Sequence, residues 1–178
     1  MSRIKHAVDA PFSTAWVARV GKLILNFGVL ELETYLWLVQ LSEAPDRITE
    51  FSRSQFADRV KEIKTFIESR AYSDNWKNEA LKGWDEALDQ AKFRNRIAHS
   101  PLTFGWNNQA EEGEPDFIGI IDLKRRDANQ NPLASKGEMD RVINSIVSLA
   151  TQLANLRAEW CSIRDAKSES ATSERSER

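Results

Sequence analysis

The sequence predicts a mainly helical fold, a four-helix bundle with a β-hairpin inserted between the third and fourth helices. Glycine and proline are scarce, with 7 and 5 copies in 178 residues, and long segments repeat apolar residues at spacings of three and four. Between about residues 101 and 126 this pattern gives way to two short apolar runs that flank an acidic, turn-rich loop. The length fits one domain, which we expect over residues 1–166.

The first helix is predicted to begin near Ser13, after Pro11, and to end near Leu41. It carries two neighbouring apolar stripes, which together make a wider arc than a single partner helix needs. Gly21 and Gly28 lie seven residues apart on the second stripe. Either another helix approaches closely there, as a second subunit would, or the glycines are merely tolerated. The first stripe consists of Trp16, Val20, Leu23, Phe27, Leu30, Thr34, Trp37 and Leu41, and the second of Val17, Gly21, Ile24, Gly28, Glu31, Tyr35 and Leu38.

Capping-box spacings predict where two further helices begin. Ser52 and Gln55 have this spacing at the start of a second helix over 54–70, and Ser135 and Glu138 open the fourth helix. Strands are expected over 102–106 and 117–123. The last residues, 167–178, are mostly Ser, Glu and Arg, so we expect a disordered tail.

Composition excludes several classes of function. One cysteine, Cys161, rules out a disulfide framework or a cysteine zinc site, and two histidines, His6 and His99, leave little for a metal cluster. A net charge of −2 argues against a protein that coats nucleic acid. With no signal peptide and no apolar run long enough to span a bilayer, we expect a cytoplasmic protein without cofactor, metal or membrane.

The third helix is predicted to begin near Ser73 or Asp74 and to end close to His99, because Pro101 disfavours helical geometry at Ser100. Its inward stripe is interrupted near the end by polar residues. The stripe runs through Leu81, Trp84, Leu88 and Ala91 and then meets Arg94, Asn95 and Ala98.

An inward arginine is costly unless it meets an acid, a carbonyl or a phosphate. Glu31, in the second stripe of the first helix, is the internal candidate for Arg94. His99 follows Asn95 by four and neighbours it, whereas Arg94 and His99 lie about 140° apart and converge only if the last turn loosens. A buried Arg–Glu pair with a capping histidine would explain the same residues without catalysis.

The hexapeptide from Arg94 to His99, Arg-Asn-Arg-Ile-Ala-His, resembles the R-x4-6-H motif of the HEPN superfamily. The order of helices over about 13–166 resembles that superfamily too. The resemblance implies a metal-independent endoribonuclease, often of a toxin–antitoxin or anti-phage system. Its members usually dimerise so that two motifs face one cleft.

On this resemblance, His99 is the general base or acid, Arg94 holds the scissile phosphate, and Asn95 orients His99 or binds a phosphate oxygen. RNA is expected in a local cleft only, and a homodimer would bring a second histidine. Arg96 and the basic run 124–126 either widen the phosphate surface or are solvated charges. A non-catalytic HEPN-like module, binding a partner as an antitoxin does, is the alternative function.

Overall fold

The computed structural model describes residues 4–6, 14–42, 48–99, 102–105, 115–120 and 132–176. The prediction of a mainly helical fold is confirmed, because helices account for most of these residues. The elements in chain order are β1 (Ile4–His6), α1 (Thr14–Ser42), α2 (Ile48–Arg53), α3 (Phe56–Ser69), α4 (Asp74–His99), β2 (Leu102–Gly105), β3 (Phe117–Ile120), β4 (Pro132–Ser135) and α5 (Lys136–Ser176).

The four predicted helices correspond to α1, α3, α4 and α5, and the short helix α2 is an addition. It forms around Phe51, whose side chain is buried. The predicted capping box of Ser52 and Gln55 is wrong, because Ser52 lies within α2 and its hydroxyl donates to the carbonyl oxygen of Thr49 at 2.8 Å. Gln55 is the N-cap of α3 but makes no side-chain capping bond.

The predicted hairpin is confirmed as the centre of a larger sheet. Strands β2 and β3 pair antiparallel, with Leu102 opposite Ile120 and Gly105 opposite Phe117. Strands β1 and β4 flank them, so that the antiparallel order is β1-β2-β3-β4. The two outer strands have three and four residues, and the sequence did not predict them. The loop 106–114 and residues 121–123 of the predicted second strand lie outside the described residues.

The chain divides into two compact units. The single domain over residues 1–166 stays a prediction. The first unit comprises residues 1–28 and 89–147 and contains the sheet. In this unit the indole Nε1 of Trp16 donates to the carbonyl oxygen of Pro115 at 2.8 Å. Arg19 binds both carboxylate oxygens of Asp140 at 3.0 Å, which ties α1 to α5.

The second unit comprises residues 29–88 and 148–178, and in it α1, α3, α4 and α5 pack as a helical bundle around tryptophans. The Nε1 atoms of Trp37 and Trp76 donate to the carbonyl oxygens of Leu153 and Leu156 at 3.2 and 3.0 Å. Gly83 allows α4 and α5 to approach, since a Cβ there would lie 2.9 Å from Leu153 Cδ2. The ring of Trp37 stacks on Trp76 and meets Trp84 edge-on, each at 5.7 Å.

The C-terminal segment differs from the expectation. Helix α5 runs on to Ser176, so the residues from Lys167 to Ser176 are helical rather than a disordered tail; 177–178 lie outside the described residues. Composition predicted too little order because extending an existing helix avoids the cost of nucleating a new one. Ser, Glu, Ala and Arg all tolerate a helix without burying anything.

Candidate functional site

Arg94 is held at the edge of the core of the first unit. The buried face of α4 passes through Ala91 and Ile97, and Arg94 lies half-buried between them. Its guanidinium carbon lies 4.7 Å from the ring centroid of Phe27 on α1. Its Nη1 donates to Asn95 Oδ1 at 2.9 Å. A cation over an aromatic face is attracted to the ring electrons, so Phe27 and Asn95 together fix the position of the guanidinium.

Asn95 and Ala98 are exposed, which corrects their predicted inward placement. The buried face continues from Ala91 in steps of three through Arg94 to Ile97, which is 3% exposed. In a helix of 3.6 residues per turn, steps of three and steps of four rotate a face in opposite directions around the axis. Because the buried face follows steps of three after Ala91, the position four residues after Ala91, which is Asn95, is exposed.

His99 is the last residue of α4 and is exposed. The helix remains regular through His99, so the loosened last turn that would let Arg94 and His99 converge is absent. Five residues of regular helix separate two side chains by about 140° around the axis. Asn95, by contrast, precedes His99 by four residues on the same exposed face, as predicted.

Arg96 lies on the exposed face of α4, away from Arg94. With Lys92 and His99 it forms a line at spacings of four and three, here called the basic row. Lys92 is 76% exposed and lies 2.7 Å from Asp89. The row therefore presents three nitrogen-bearing side chains to solvent at the end of α4.

The two units differ in charge. The segments of the first unit contain 12 Lys and Arg against 10 Asp and Glu, a net charge of +2. The segments of the second contain 13 against 17, a net charge of −4. The basic row thus belongs to the more positive unit, which favours an anionic partner there.

The strand register adds a histidine that our interpretation of the sequence left aside. His6 of β1 pairs with Thr103 of β2, and Thr103 follows His99 by four residues. Strand β1, which carries His6, therefore pairs with the strand that follows α4 in the chain. No sequence pattern could have indicated this, because β1 has only three residues.

Glu31 is half-buried on α1 and belongs to the second unit, whereas Arg94 belongs to the first. The Glu31 carbonyl oxygen accepts the Thr34 hydroxyl at 2.6 Å. Its pairing with Arg94 stays a prediction.

The deeply buried acid of α1 is instead Glu33, 6% exposed, whose carboxylate accepts two hydrogen bonds from Arg157 at 2.9 and 3.4 Å. The sequence did not point to this pair, because 124 residues separate its members.

Arg59 is a second buried charge that the sequence did not reveal. It is 4% exposed, and its Nε donates to Thr34 Oγ1 at 2.7 Å. Its Nη1 donates to the carbonyl oxygen of Ser54, and its guanidinium lies 4.4 Å from the Tyr35 ring centroid. These contacts join the start of α3 to α1, which is a structural role.

Other candidate sites offer less. The basic run 124–126 lies outside the described residues. Among the residues that the structure does describe, no group of three or more His, Cys, Asp or Glu is placed to hold a metal ion. An open groove of about 530 Å³ in the second unit contains none of the predicted site residues. It is lined by Glu79, Ser148, Thr151, Gln152, Asn155, Leu156 and Glu159.

Comparison with known proteins does not assign the chain to a class of protein. No protein-family model matches the chain, and the comparisons with curated proteins and with solved structures found no match either. Of the helices in the described ranges, none combines the length and the apolar character needed to cross a membrane.

Proposed function

We propose that this chain is a metal-independent endoribonuclease of the HEPN type. RNA supplies its own nucleophile, the 2′-OH, which attacks the adjacent phosphorus while the bond to the 5′ oxygen breaks. The protein then needs a base to take the 2′ proton, an acid to protonate the leaving 5′ oxygen, and a cation for the developing phosphorane charge. His99 performs proton transfer, Arg94 stabilises charge, and Asn95 positions the arginine.

The observation that carries this proposal is the cluster at the end of α4. Arg94 is fixed by its hydrogen bond to Asn95, and Asn95 neighbours the exposed His99 one turn later. An arginine that already lies on Phe27 needs little reordering to bind phosphate, which lowers the entropic cost of binding. The basic row continues the same exposed face and extends the surface for the RNA backbone.

Cleavage requires both an acid and a base, and His99 is one imidazole. The second comes from His99 of another copy or from His6, whose strand β1 pairs with β2, the strand that follows α4 in the chain. The 140° between Arg94 and His99 on one helix favours an arrangement in which the two act on the phosphate from different copies.

The proposal is tested by incubating purified protein with single-stranded RNA in EDTA. We expect His99→Ala to lower the cleavage rate about 10²–10⁴-fold, the usual worth of a general acid or base. Arg94→Ala should lower it about 10²–10³-fold, as loss of one charge-stabilising donor does elsewhere. Lys82→Ala is the control, because Lys82 lies on the same helix, is 78% exposed and is remote from the motif.

Three results distinguish whether the site is assigned correctly and which histidine is the second imidazole. Equal cleavage by wild type, His99→Ala and Arg94→Ala contradicts the assignment of the site. Loss of activity in His6→Ala, with unchanged unfolding, identifies His6 as the second imidazole. Full activity of His6→Ala, together with rescue when inactive Arg94→Ala and His99→Ala proteins are mixed, identifies His99 of a second copy.

One observation favours a second function, a non-catalytic binding module. The half-buried Arg94 lies over Phe27 and bonds to its own neighbour, contacts that a purely structural arginine would also make. In that case Arg94→Ala lowers stability while wild-type protein binds a partner, such as an antitoxin's cognate protein, without cutting RNA. A wild-type preparation that degrades no RNA supports this alternative.

The biological setting that fits cleavage is a cytoplasmic toxin–antitoxin or anti-phage system, in which RNA cleavage arrests growth. Expression of the wild-type chain should therefore slow growth of the host cell, and expression of His99→Ala should not. A cognate antitoxin would be a protein that restores growth when expressed together with the wild type. Equal growth with both variants argues for the binding module.

A further inference from the structure

Four of the six tryptophans and one of the two tyrosines of the chain form a continuous set of ring contacts in the second unit. The contacts begin at Trp84, pass through Trp37 and Trp76 and reach Tyr72, with ring centroids 5.7, 5.7 and 4.6 Å apart. We call these four rings the aromatic series. Trp160 is a side branch, 5.8 Å from Trp76 and 5.6 Å from Tyr72. Each step is therefore a direct contact between neighbouring rings.

The two ends of the aromatic series differ in exposure. Its three tryptophans are buried, whereas Tyr72 is half-buried. The Tyr72 hydroxyl donates to Glu159 Oε1 at 3.1 Å, and Glu159 lines the open groove of about 530 Å³ in the same unit. The series thus leads from the core to a hydroxyl group whose hydrogen-bond partner is exposed to solvent.

In the described part of the chain, the buried indoles of the series face no group that would take their proton. Trp37 and Trp76 donate their Nε1 hydrogens to backbone carbonyl oxygens, which accept hydrogen bonds but are not bases. Trp84 Nε1 has no acceptor there. An indole of this series that loses an electron therefore keeps its proton, and its positive charge stays free to move to the next ring. The carboxylate of Glu159 is the proton acceptor that the series meets at Tyr72.

We propose that the aromatic series carries one-electron oxidation from the core to Tyr72, where Glu159 accepts the phenol proton. A radical oxidant, such as the sulfate radical, takes one electron from an indole and leaves a radical cation. An electron then passes from Tyr72 through Trp76 to the oxidised indole, while the phenol proton moves to Glu159. The products are a neutral indole, a neutral tyrosyl radical and a protonated carboxyl group, so atoms and charge balance.

The surrounding charges favour Tyr72 over Trp160 as the end of the path. The guanidinium carbon of Arg70 lies 6.0 Å from the Trp160 ring centroid and repels a positive charge on that ring. Burial, followed by the hydrogen bond and the charge of Glu159, raises the pKa of Tyr72, so the phenol holds its proton until it is oxidised.

The groove gives the radical a way to be reduced. A small thiol in the groove would lie beside the Glu159 side chain that binds Tyr72. It would donate one hydrogen atom to the tyrosyl oxygen and leave as a thiyl radical, and Glu159 would release its proton to water. The buried tryptophans would thereby escape permanent oxidation. This activity goes beyond the proposed cleavage of RNA and does not depend on it.

Time-resolved absorption after a laser flash tests the path. A ruthenium photo-oxidant is attached to Glu86→Cys in full-length protein that also carries Cys161→Ser. Glu86 is 51% exposed and lies two residues after Trp84, but ten residues, about 15 Å along α4, beyond Trp76. Oxidation therefore enters the series at the Trp84 end. We expect a tryptophan radical that decays as a tyrosyl radical appears.

The two tyrosines of the chain provide the matched control. Tyr72→Phe should abolish the tyrosyl signal and prolong the tryptophan radical, whereas Tyr35→Phe should leave both unchanged. Trp37→Phe should remove the tyrosyl signal because phenylalanine is not oxidised and interrupts the path. Glu159→Gln should slow the appearance of the tyrosyl radical, since an amide cannot take the proton.

Three results overturn the proposal: no tyrosyl radical in the labelled protein, the same tyrosyl signal after Tyr72→Phe, or an equally fast signal after Trp37→Phe. Circular dichroism verifies that each variant folds. Tyr72→Phe changes a half-buried side chain and keeps its ring, so this comparison stands even if Trp37→Phe destabilises the core. All readouts are optical and none requires RNA, so they stand whether or not RNA is cleaved.

Discussion

Two buried tryptophans of the second unit, Trp76 and Trp84, differ in the hydrogen bonding of the indole Nε1. Trp76 is 2% exposed and Trp84 is fully buried, but only Trp76 donates its indole hydrogen, to the Leu156 carbonyl oxygen. Among the described residues the Trp84 Nε1 has no acceptor. A buried unsatisfied donor costs about 1–3 kcal/mol. Trp84 therefore contributes shape and apolar area at the expense of one unpaired hydrogen-bond donor.

We expect Trp76→Phe to destabilise the protein by about 1–2 kcal/mol more than Trp84→Phe. Both variants lose similar ring area, but only the first loses a hydrogen bond, while the second removes an unsatisfied donor. Denaturant unfolding followed by circular dichroism measures both free energies of unfolding. Equal losses would show that Trp84 Nε1 finds a partner in solution, such as a water molecule.

At the residue scale the sequence predicted what a local pattern can reveal. Arg94 was visible because a charge interrupts an apolar stripe, and the structure places it half-buried at that point. Glu33 and Arg157 were not visible, since each looks like an ordinary helix charge until the fold joins them. The orientation of Asn95 was predicted wrongly because a choice between steps of three and four depends on the neighbouring helices.

At the element scale, the start of α5 shows a capping box that the sequence predicted correctly. Glu138 Oε2 accepts the Ser135 backbone N–H at 2.7 Å and lies 2.8 Å from the Ser135 hydroxyl oxygen, while the Glu138 N–H donates to that hydroxyl at 3.2 Å. The bonds from Ser135 favour the ionised carboxylate and lower the pKa of Glu138 below its ordinary value of 4.5. The stability of the start of α5 therefore depends on whether the exposed Glu138 carboxyl group is ionised.

This cap predicts a pH dependence of stability. Because the folded-state pKa of Glu138 is lowered, the carboxylate stabilises the fold above about pH 4.5 and loses this effect as the pH falls through the folded-state value. Glu138→Ala should thus lower the melting temperature at pH 7 and change it less near pH 3. Glu138→Gln, whose amide oxygen can still accept from Ser135, is the control and should show a weaker pH dependence. An equal deficit of Glu138→Ala at both pH values would contradict the role of the charge.

The long helices were the most predictable elements. They show several repeats of the 3.6-residue period, and the observed bounds of α1 and α4 lie close to the predicted ones. The short elements α2, β1 and β4 have six residues or fewer, so packing against distant segments decides their structure. The end of α5 was missed for the opposite reason, because no packing is needed to extend a helix that already exists.

At the scale of the whole molecule, the uneven charge of the two units restricts where the RNA of the proposed function could bind. Net charges of +2 and −4 leave the basic row, with Arg94 nearby, as the cationic surface of the first unit that we have described. Each phosphate contact to a single strand adds about −0.7 to the slope of log affinity against log salt concentration. Contacts from Lys92, Arg94 and Arg96 therefore predict a slope of about −2.

Two lysines of α4 provide a matched test of whether RNA contacts the basic row and not the acidic unit. Lys92 and Lys82 are 76% and 78% exposed and each faces an acidic neighbour, but they belong to the first and the second unit. Lys92→Ala should reduce the size of the slope by about 0.7, whereas Lys82→Ala should leave it unchanged. Binding is measured by titration with a 2′-O-methylated oligonucleotide, which cannot be cleaved because its nucleophile is blocked. A slope steeper than about −5, or equal effects of the two lysines, would mean that RNA spreads over the acidic unit as well, against its charge.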